Sequence, residues 1–310
     1  MSASIASLAG AKGRDGARAS ALARKRLSAE QLASHLPPLL VAAERVATTV
    51  AQGVHGRRRT GQGETFWQFR RYMPGDTIDR IDWRQTAKST HVYVRETEWE
   101  AAQSVWLWAD RSPSMAWTSN RNVAQKSERA DLLLLALAAL LVRGGERVAL
   151  LGSGAPPFHG RFAINRLAEM LLTMPEIGTG LPRTQRLPRH ASCALFGDFL
   201  SPLGEIDARI KSLAGGGVRG HLVHIVDPAE AGLPYAGRTR FEGLEDEGEI
   251  LVSRVEAVRE DYRQAFDGHV AGLRDIARAY GWNYVQHRTD HGPELTLMAL
   301  WLALSRAVAR

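Results

Sequence analysis

The chain has 310 residues, of which 45% are hydrophobic, and it carries a formal net charge of +7 with a single cysteine. This length allows a sizeable buried core in one large domain or two small ones. One cysteine excludes an intramolecular disulfide, and Cys193 lies in an apolar run, which predicts a buried thiol and a reducing compartment. The longest apolar stretches, residues 132–142 and 295–304, fall short of the roughly 20 residues that span a bilayer as a helix.

The N-terminal third is predicted to be an extension of the main domain. Residues 1–27 are rich in Ala, Ser, Gly, Arg and Lys and lack the apolar run of a secretory signal, which predicts a disordered basic tail. Residues 28–100 predict a helix interrupted near Pro37, then an exposed loop at 55–63 anchored by the aromatic residues after it, then a strand at 91–95. Most of the excess positive charge lies in this third, which permits attraction to an acidic partner, a nucleic acid or an anionic surface.

Residues 101–310 are predicted to form an α/β domain. Apolar, β-branched runs predict strands at 104–109, 147–151, 193–197, 222–226 and 282–287. Helices are predicted at 127–142, 164–172, 205–213, 255–280 and 294–308, with a hairpin at 241–252. The alternation of strand and helix predicts a doubly wound, mostly parallel sheet of the Rossmann type, with helices on both faces and a helical C-terminal part.

Acidic and hydroxyl side chains follow two of these strands at their carboxyl ends. The strand at 104–109 leads into Asp110, Ser112 and Ser114, and the strand at 193–197 leads into Asp198. Ligands of open α/β sheets bind at this edge. Because all four side chains offer oxygen atoms, they are the candidate ligands of a hard cation, Mg²⁺ or Mn²⁺.

Two patterns resemble known families. The spacing Asp110-x-Ser112-x-Ser114 after a first core strand resembles the metal-ion-dependent adhesion site of the von Willebrand factor A fold. The preceding stretch is similar to the signature of the bacterial DUF58 family, whose members carry a von Willebrand A-like domain. Its matching residues are Arg71-Tyr72-x-Pro74-Gly75-Asp76-x-x-Asp79-Arg80-Ile81-Asp82-Trp83-x-x-Thr86-Ala87, followed by Val94-Arg95-Glu96. The resemblance extends over about residues 28–305.

The resemblance implies a non-catalytic interaction module that acts as an adaptor or co-chaperone for a MoxR-type AAA+ ATPase in the cytoplasm. It also implies that Ser112 and Ser114 bind the cation directly, that Asp110 and Asp198 hold it through water, and that a partner's carboxylate completes the octahedron. The family site takes a threonine from the loop between the second strand and the next helix. That loop, residues 160–165, contains no threonine here, and metal binding and simple capping of the turn by Asp110 and Ser112 both stay open.

The signature segment has two interpretations. Its interleaved charges can form a network that fastens the extension to the sheet, or they can form a docking surface for a partner. The residues of this candidate interaction surface are Arg71, Tyr72, Asp76, Arg80, Asp82 and Trp83.

Two other functions are alternatives to the interaction module. A metal-dependent hydrolase would use Asp110 and Asp198, and it would need a pocket with further acids or bases beside the loop. A basic nucleic-acid-binding protein would use Arg57 to Arg59 together with the aromatic residues that follow, and its binding would weaken steeply with salt.

Overall fold

The computed structural model describes residues 38–52, 66–73, 81–97, 104–160, 162–174, 180–244 and 248–307. The predicted tail at 1–27, the predicted loop at 55–63, and Asp76 and Arg80 of the candidate interaction surface lie outside the described residues.

The extension contains two helices and a small sheet. Residues 38–52 form helix α1, Phe66–Arg71 form strand β1, Trp83–Thr86 form helix α2 and Tyr93–Thr97 form strand β2. Strands β1 and β2 pair antiparallel. The sequence predicted that the aromatic residues after position 63 anchor a loop; the structure places Phe66, Trp67 and Phe69 in β1, and Tyr72 follows that strand.

Five parallel strands form the main sheet, which confirms the predicted fold class. They are β3 (Ser104–Ala109), β4 (Arg147–Leu150), β5 (Ser192–Gly197), β6 (Arg219–Val226) and β9 (Asn283–Arg288). Their order across the sheet is β4-β3-β5-β6-β9. Phe158 adds an isolated antiparallel bridge to Val148 beside the β4 edge.

Helices cover both faces of this sheet. They are α3 (Lys126–Arg143), α4 (Ala163–Thr173), α5 (Leu203–Ala214), α7 (Val255–Ala279) and α8 (Glu294–Ala307), while the short helix α6 (Pro228–Gly232) follows the end of β6. A peripheral hairpin of β7 (Thr239–Glu242) and β8 (Glu249–Val252) separates α6 from α7. Within the described part of the chain, every helix is too short or too polar to traverse a lipid bilayer.

The period of two in β3 explains how one strand supplies two cores. Val105, Leu107 and Ala109 join the core under α1, α3, α4 and α8, while Trp106 and Trp108 join the core under α5 and α7. Cys193 of β5 is buried in the second core, as its apolar context predicts. A strand buried on both faces needs apolar side chains at every position, which is why β3 is a continuous apolar run.

Candidate metal centre at the carboxyl edge of the sheet

The four predicted ligands come together where β3 and β5 end. Asp110 is fully buried, and its backbone N–H donates to the Phe196 carbonyl at 2.8 Å, which fixes the end of β3 against β5. Its Oδ1 accepts a hydrogen bond from the Ser112 N–H at 2.8 Å, the geometry of an Asx turn. The turn therefore brings Ser112 back over the strand end.

Ser114 connects the two strand ends. Its Oγ donates to Asp198 Oδ2 at 2.7 Å, and it lies 3.0 Å from the Oγ of Ser112. Ser112 and Asp198 are buried, whereas Ser114 is partly exposed. Two hydroxyls and two carboxylates from separate strands thus form one cluster that opens toward solvent at Ser114.

Gly197 leaves room for this cluster, and Gly180 lies beside it with a left-handed backbone. A Cβ at Gly197 would lie 3.0 Å from the Cβ and 3.1 Å from Oδ2 of Asp110, so the glycine allows the two strand ends to approach closely. A Cβ at Gly180, whose φ is +57°, would lie 3.6 Å from Asp110 Oδ2 and 3.9 Å from Ser112 Oγ.

Gly180 lies on the loop that leads from α4 to β5. A Cβ at Gly180 would reach Asp110 and Ser112, so this loop lies beside the cluster, and the expectation drawn from residues 160–165 before α4 stays a prediction. In the sequence, Thr179 immediately precedes Gly180, and it lies outside the described residues.

Arg111 fastens the Asp110–Ser114 loop to α3 and α4. Its guanidinium donates to Asp131 Oδ1 of α3 at 2.8 Å and to the Leu171 carbonyl of α4 at 3.0 Å. Burial raises the pKa of Asp131 to about 6, although the charge of Arg111 opposes the rise. The side chain between the two metal-ligand candidates therefore ties the loop to both neighbouring helices.

The chain reverses sharply after Asp198. Phe199 has a φ of +48°, a left-handed conformation that costs a non-glycine residue about 1 kcal/mol. The turn buries the Phe199 ring against His224, at 6.3 Å between ring centroids, and leaves Leu200 exposed at the rim of the site.

A buried lysine, which sequence reasoning missed, completes the cluster. Lys126 begins α3, is 1% exposed, and donates from Nζ to Asp198 Oδ2 at 2.9 Å and to Glu230 Oε1 at 2.5 Å. Burial alone would lower the pKa of this ammonium, but the negative charges of Asp198 and Glu230 outweigh burial and raise its pKa above the usual value. Lys126 is therefore charged at neutral pH.

A comparison with known families identifies the chain. The family described as "Protein of unknown function DUF58" matches residues 68–271. The chain belongs to the DUF58 family. This DUF58 protein is 28% identical over 286 residues to uncharacterized proteins of Mycobacterium bovis and Mycobacterium tuberculosis, which covers 84% of this chain and 86% of each relative.

Two solved structures are similar to parts of this DUF58 protein. The crystal structure of the conserved hypothetical protein BatB from Bacteroides thetaiotaomicron matches 67% of this chain and 100% of its own, with 14% identity and a TM-score of 0.34. That of an uncharacterized membrane spanning protein from Vibrio fischeri matches 65% of this chain and 96% of its own, with 18% identity and a TM-score of 0.16.

The donor chemistry of the site suits a hard cation only in part. All four predicted ligands offer oxygen, as Mg²⁺ and Mn²⁺ prefer. Among the described residues, no group of three or more His, Cys, Asp and Glu side chains could hold a metal, so a cation here would depend on the two serine hydroxyls and on water. Lys126 already donates a hydrogen bond to Asp198 Oδ2. The competing interpretation is therefore that the cluster is a structural hydrogen-bond network that holds no cation.

The candidate interaction surface is described in part. Arg71 and Trp83 are exposed, Trp83 with 64% of its area, and Tyr72 is 38% exposed. Asp82 caps α2 by accepting a hydrogen bond from the Gln85 N–H at 2.9 Å. Asp82 thus has a local structural role, while a tryptophan beside it is available for contact.

Proposed function

We propose that this DUF58 protein is a non-catalytic interaction module whose binding surface is organised by a divalent cation at the Asp110–Ser114 loop. The observation that carries the proposal is the single cluster of Asp110, Ser112, Ser114 and Asp198 at the carboxyl edge of β3 and β5. Ligands of open α/β sheets bind at this edge.

The arrangement supports specific roles for the four side chains. Ser112 and Ser114, whose hydroxyls are 3.0 Å apart, would bind Mg²⁺ or Mn²⁺ directly. Asp110 and Asp198 would hold the ion through water. Because the cluster opens at Ser114, an incoming carboxylate of a protein partner could fill the remaining position of the octahedron.

A catalytic role has less support than a binding role. Metal-assisted hydrolysis needs an acid or base that is able to transfer a proton beside the ion. Lys126 is the basic group bonded to Asp198, and it is held by two carboxylates at 2.9 and 2.5 Å. Its raised pKa makes it a poor proton donor at neutral pH.

Calorimetric titration of Mg²⁺ and Mn²⁺ tests the cation site. We expect saturable binding to the wild type and its loss in the double variant Ser112→Ala, Ser114→Ala, because both direct ligands are then removed. The variant Ser212→Ala, on an exposed position of α5, is the matched control and should bind as the wild type does. Circular dichroism confirms that the variants are folded. Saturable binding of equal affinity by the wild type and the double variant would refute the site.

The partner implied by the family resemblance is a MoxR-type AAA+ ATPase. We expect a purified ATPase of this type to bind the wild type more strongly in Mg²⁺ than in EDTA. Trp83→Ala should weaken this binding if the exposed surface around α2 also contacts the ATPase. If the double serine variant still bound the ATPase fully in EDTA, ATPase binding would not depend on the cation site.

A further inference from the structure

Lys126 is a permanent internal cation beside the proposed metal ligands. Its ammonium and the Ser114 hydroxyl bond to the same oxygen, Oδ2 of Asp198, at 2.9 and 2.7 Å. The Lys126 side chain is 1% exposed and that of Asp198 is 3% exposed. Burial of both charges keeps water from screening them, so their influence on a nearby ion is strong.

A second carboxylate holds Lys126 in this place. Glu230 accepts from Lys126 Nζ through Oε1, and its Oε2 accepts from the Asp227 N–H at 2.8 Å in the capping box of α6. The Tyr262 hydroxyl of α7 donates to the Glu230 carbonyl at 2.7 Å. Because α6 and α7 hold Glu230 in place, Lys126 Nζ has a second fixed acceptor and is shared between Asp198 and Glu230.

These contacts oppose the binding of a second cation. Asp110 and Asp198 supply two negative charges to the proposed site, and the ammonium cancels one of them. A divalent ion held through Asp198 must share this carboxylate with Lys126 and is repelled by it. Glu230 acts in the opposite direction, because its charge draws the ammonium away from Asp198.

We propose that Lys126 sets the cation affinity of the site, lowering it through its hold on Asp198, and that Glu230 partly relieves this effect. The inference rests on the proposed cation-binding function. It assigns Lys126 and Glu230 as positioning residues that determine how readily Mg²⁺ or Mn²⁺ enters, and it predicts that their substitution changes affinity in opposite directions.

Calorimetric titration of Mn²⁺ into a set of variants tests this assignment. Lys126→Met keeps the length of the side chain and removes its charge, so we expect the dissociation constant to fall at least about tenfold, given the size of charge interactions at buried sites. Glu230→Gln leaves the ammonium to Asp198 alone, and binding should weaken by about threefold or more. Lys211→Met removes the same charge from an exposed position of α5 and should bind as the wild type does.

A second comparison covers the case in which Lys126→Met fails to fold because Asp198 and Glu230 then face each other without a cation. The double variant Lys126→Met, Glu230→Gln removes both charges, and it should bind Mn²⁺ at least about tenfold more tightly than Glu230→Gln alone. Binding seen only when Lys126 is removed, and lost again with Ser112→Ala and Ser114→Ala, would support the assignment.

The outcomes separate the two proposals. If wild type and Lys126→Met bind Mn²⁺ with the same affinity and the serine substitutions abolish binding, the cation site stands and the role of Lys126 is overturned. If no variant binds Mn²⁺, including Lys126→Met, the cation-binding function itself fails and the inference fails with it.

Discussion

Asp131 and Arg111 form a buried ion pair beside the candidate loop, and burial shifts the pKa of Asp131. Its side chain is 8% exposed, and burial raises its pKa from 3.8 to about 6 despite the contact with Arg111 at 2.8 Å. The folded state therefore binds this proton more tightly than the unfolded state between pH 4 and 6. A raised carboxyl pKa makes the fold more stable at the acidic end of that window and less stable above it.

The variant Asp131→Asn should remove this pH dependence. As the pH rises from about 4 to 6, we expect the free energy of unfolding of the wild type to fall relative to that of the variant by up to about 3 kcal/mol. Urea denaturation at pH 4, 5, 6 and 7 measures the difference. Asp275→Asn on exposed α7 is the matched control, and a difference that stays constant across the window would contradict the prediction.

At the residue scale, the sequence located the four candidate ligands but not the lysine among them. Asp110, Ser112 and Ser114 are local in the chain, and Asp198 follows a strand whose end must lie at the same edge. Lys126 bonds to Asp198 and Glu230, which lie 72 and 104 positions further along the chain. A lysine at the start of a helix is ordinarily exposed. Its burial depends on how α3 and α6 meet, which local patterns do not encode.

Helix α7 contains two glycines one turn apart that differ in their surroundings. A Cβ at Gly268 would meet nothing within 4 Å, whereas a Cβ at Gly272 would lie 2.4 Å from Leu203 Cδ1 of α5. Alanine in a helix interior is favoured over glycine by about 1 kcal/mol. An alanine at Gly272 would therefore force the Leu203 side chain to shift, whereas an alanine at Gly268 would not.

We expect Gly268→Ala to raise the free energy of unfolding by about 1 kcal/mol, because it adds helix propensity without a clash. Gly272→Ala should leave the protein at least about 1 kcal/mol less stable than Gly268→Ala, because Leu203 must be displaced. Urea denaturation of both variants measures the difference. Equal gains at the two positions would show that Leu203 moves aside at no cost.

Helices and strands with a long hydrophobic pattern could be predicted from the sequence, whereas short ones could not. Strand β3 and the long helix α7 were predicted within a residue of their observed ends, because continuous apolar runs and a period of 3.6 identify them. Strand β1 was missed because its partner β2 lies more than 20 positions away. Helices α2 and α6 are four and five residues long, too short for periodicity to detect.

The fold class of the whole molecule and the edge at which ligands bind follow from the alternation of strands and helices, but the set of loops that cover this edge does not. Alternation predicts a parallel sheet, and parallel sheets place their ligands at the carboxyl edge. Which loops cover that edge depends on the order β4-β3-β5-β6-β9, in which β5 lies beside β3. This adjacency brings Gly180, on the loop before β5, beside Asp110, a contact that the order of elements along the chain does not reveal.

Buried histidines give the whole molecule an acid sensitivity opposite in sign to that of Asp131. Burial lowers the pKa of His221 and that of His287 to about 4, and the nearby charge of Arg129 adds to the effect at His287. Both side chains are 2% exposed. The unfolded state binds these protons with a pKa near 6.5, so their contribution to stability is complete above that pH and is lost as the pH falls to about 4.

We therefore expect the free energy of unfolding to decrease by several kcal/mol between pH 7 and 4.5, at up to about 3 kcal/mol for each histidine. Urea denaturation across this range measures the slope. His221→Asn and His287→Asn should each reduce the slope, and the double variant should reduce it by the sum. Asp131→Asn should steepen it, because the wild-type carboxyl opposes the histidines in the same window. A flat dependence in the wild type, or a shallower one in Asp131→Asn, would contradict this assignment of the buried charges.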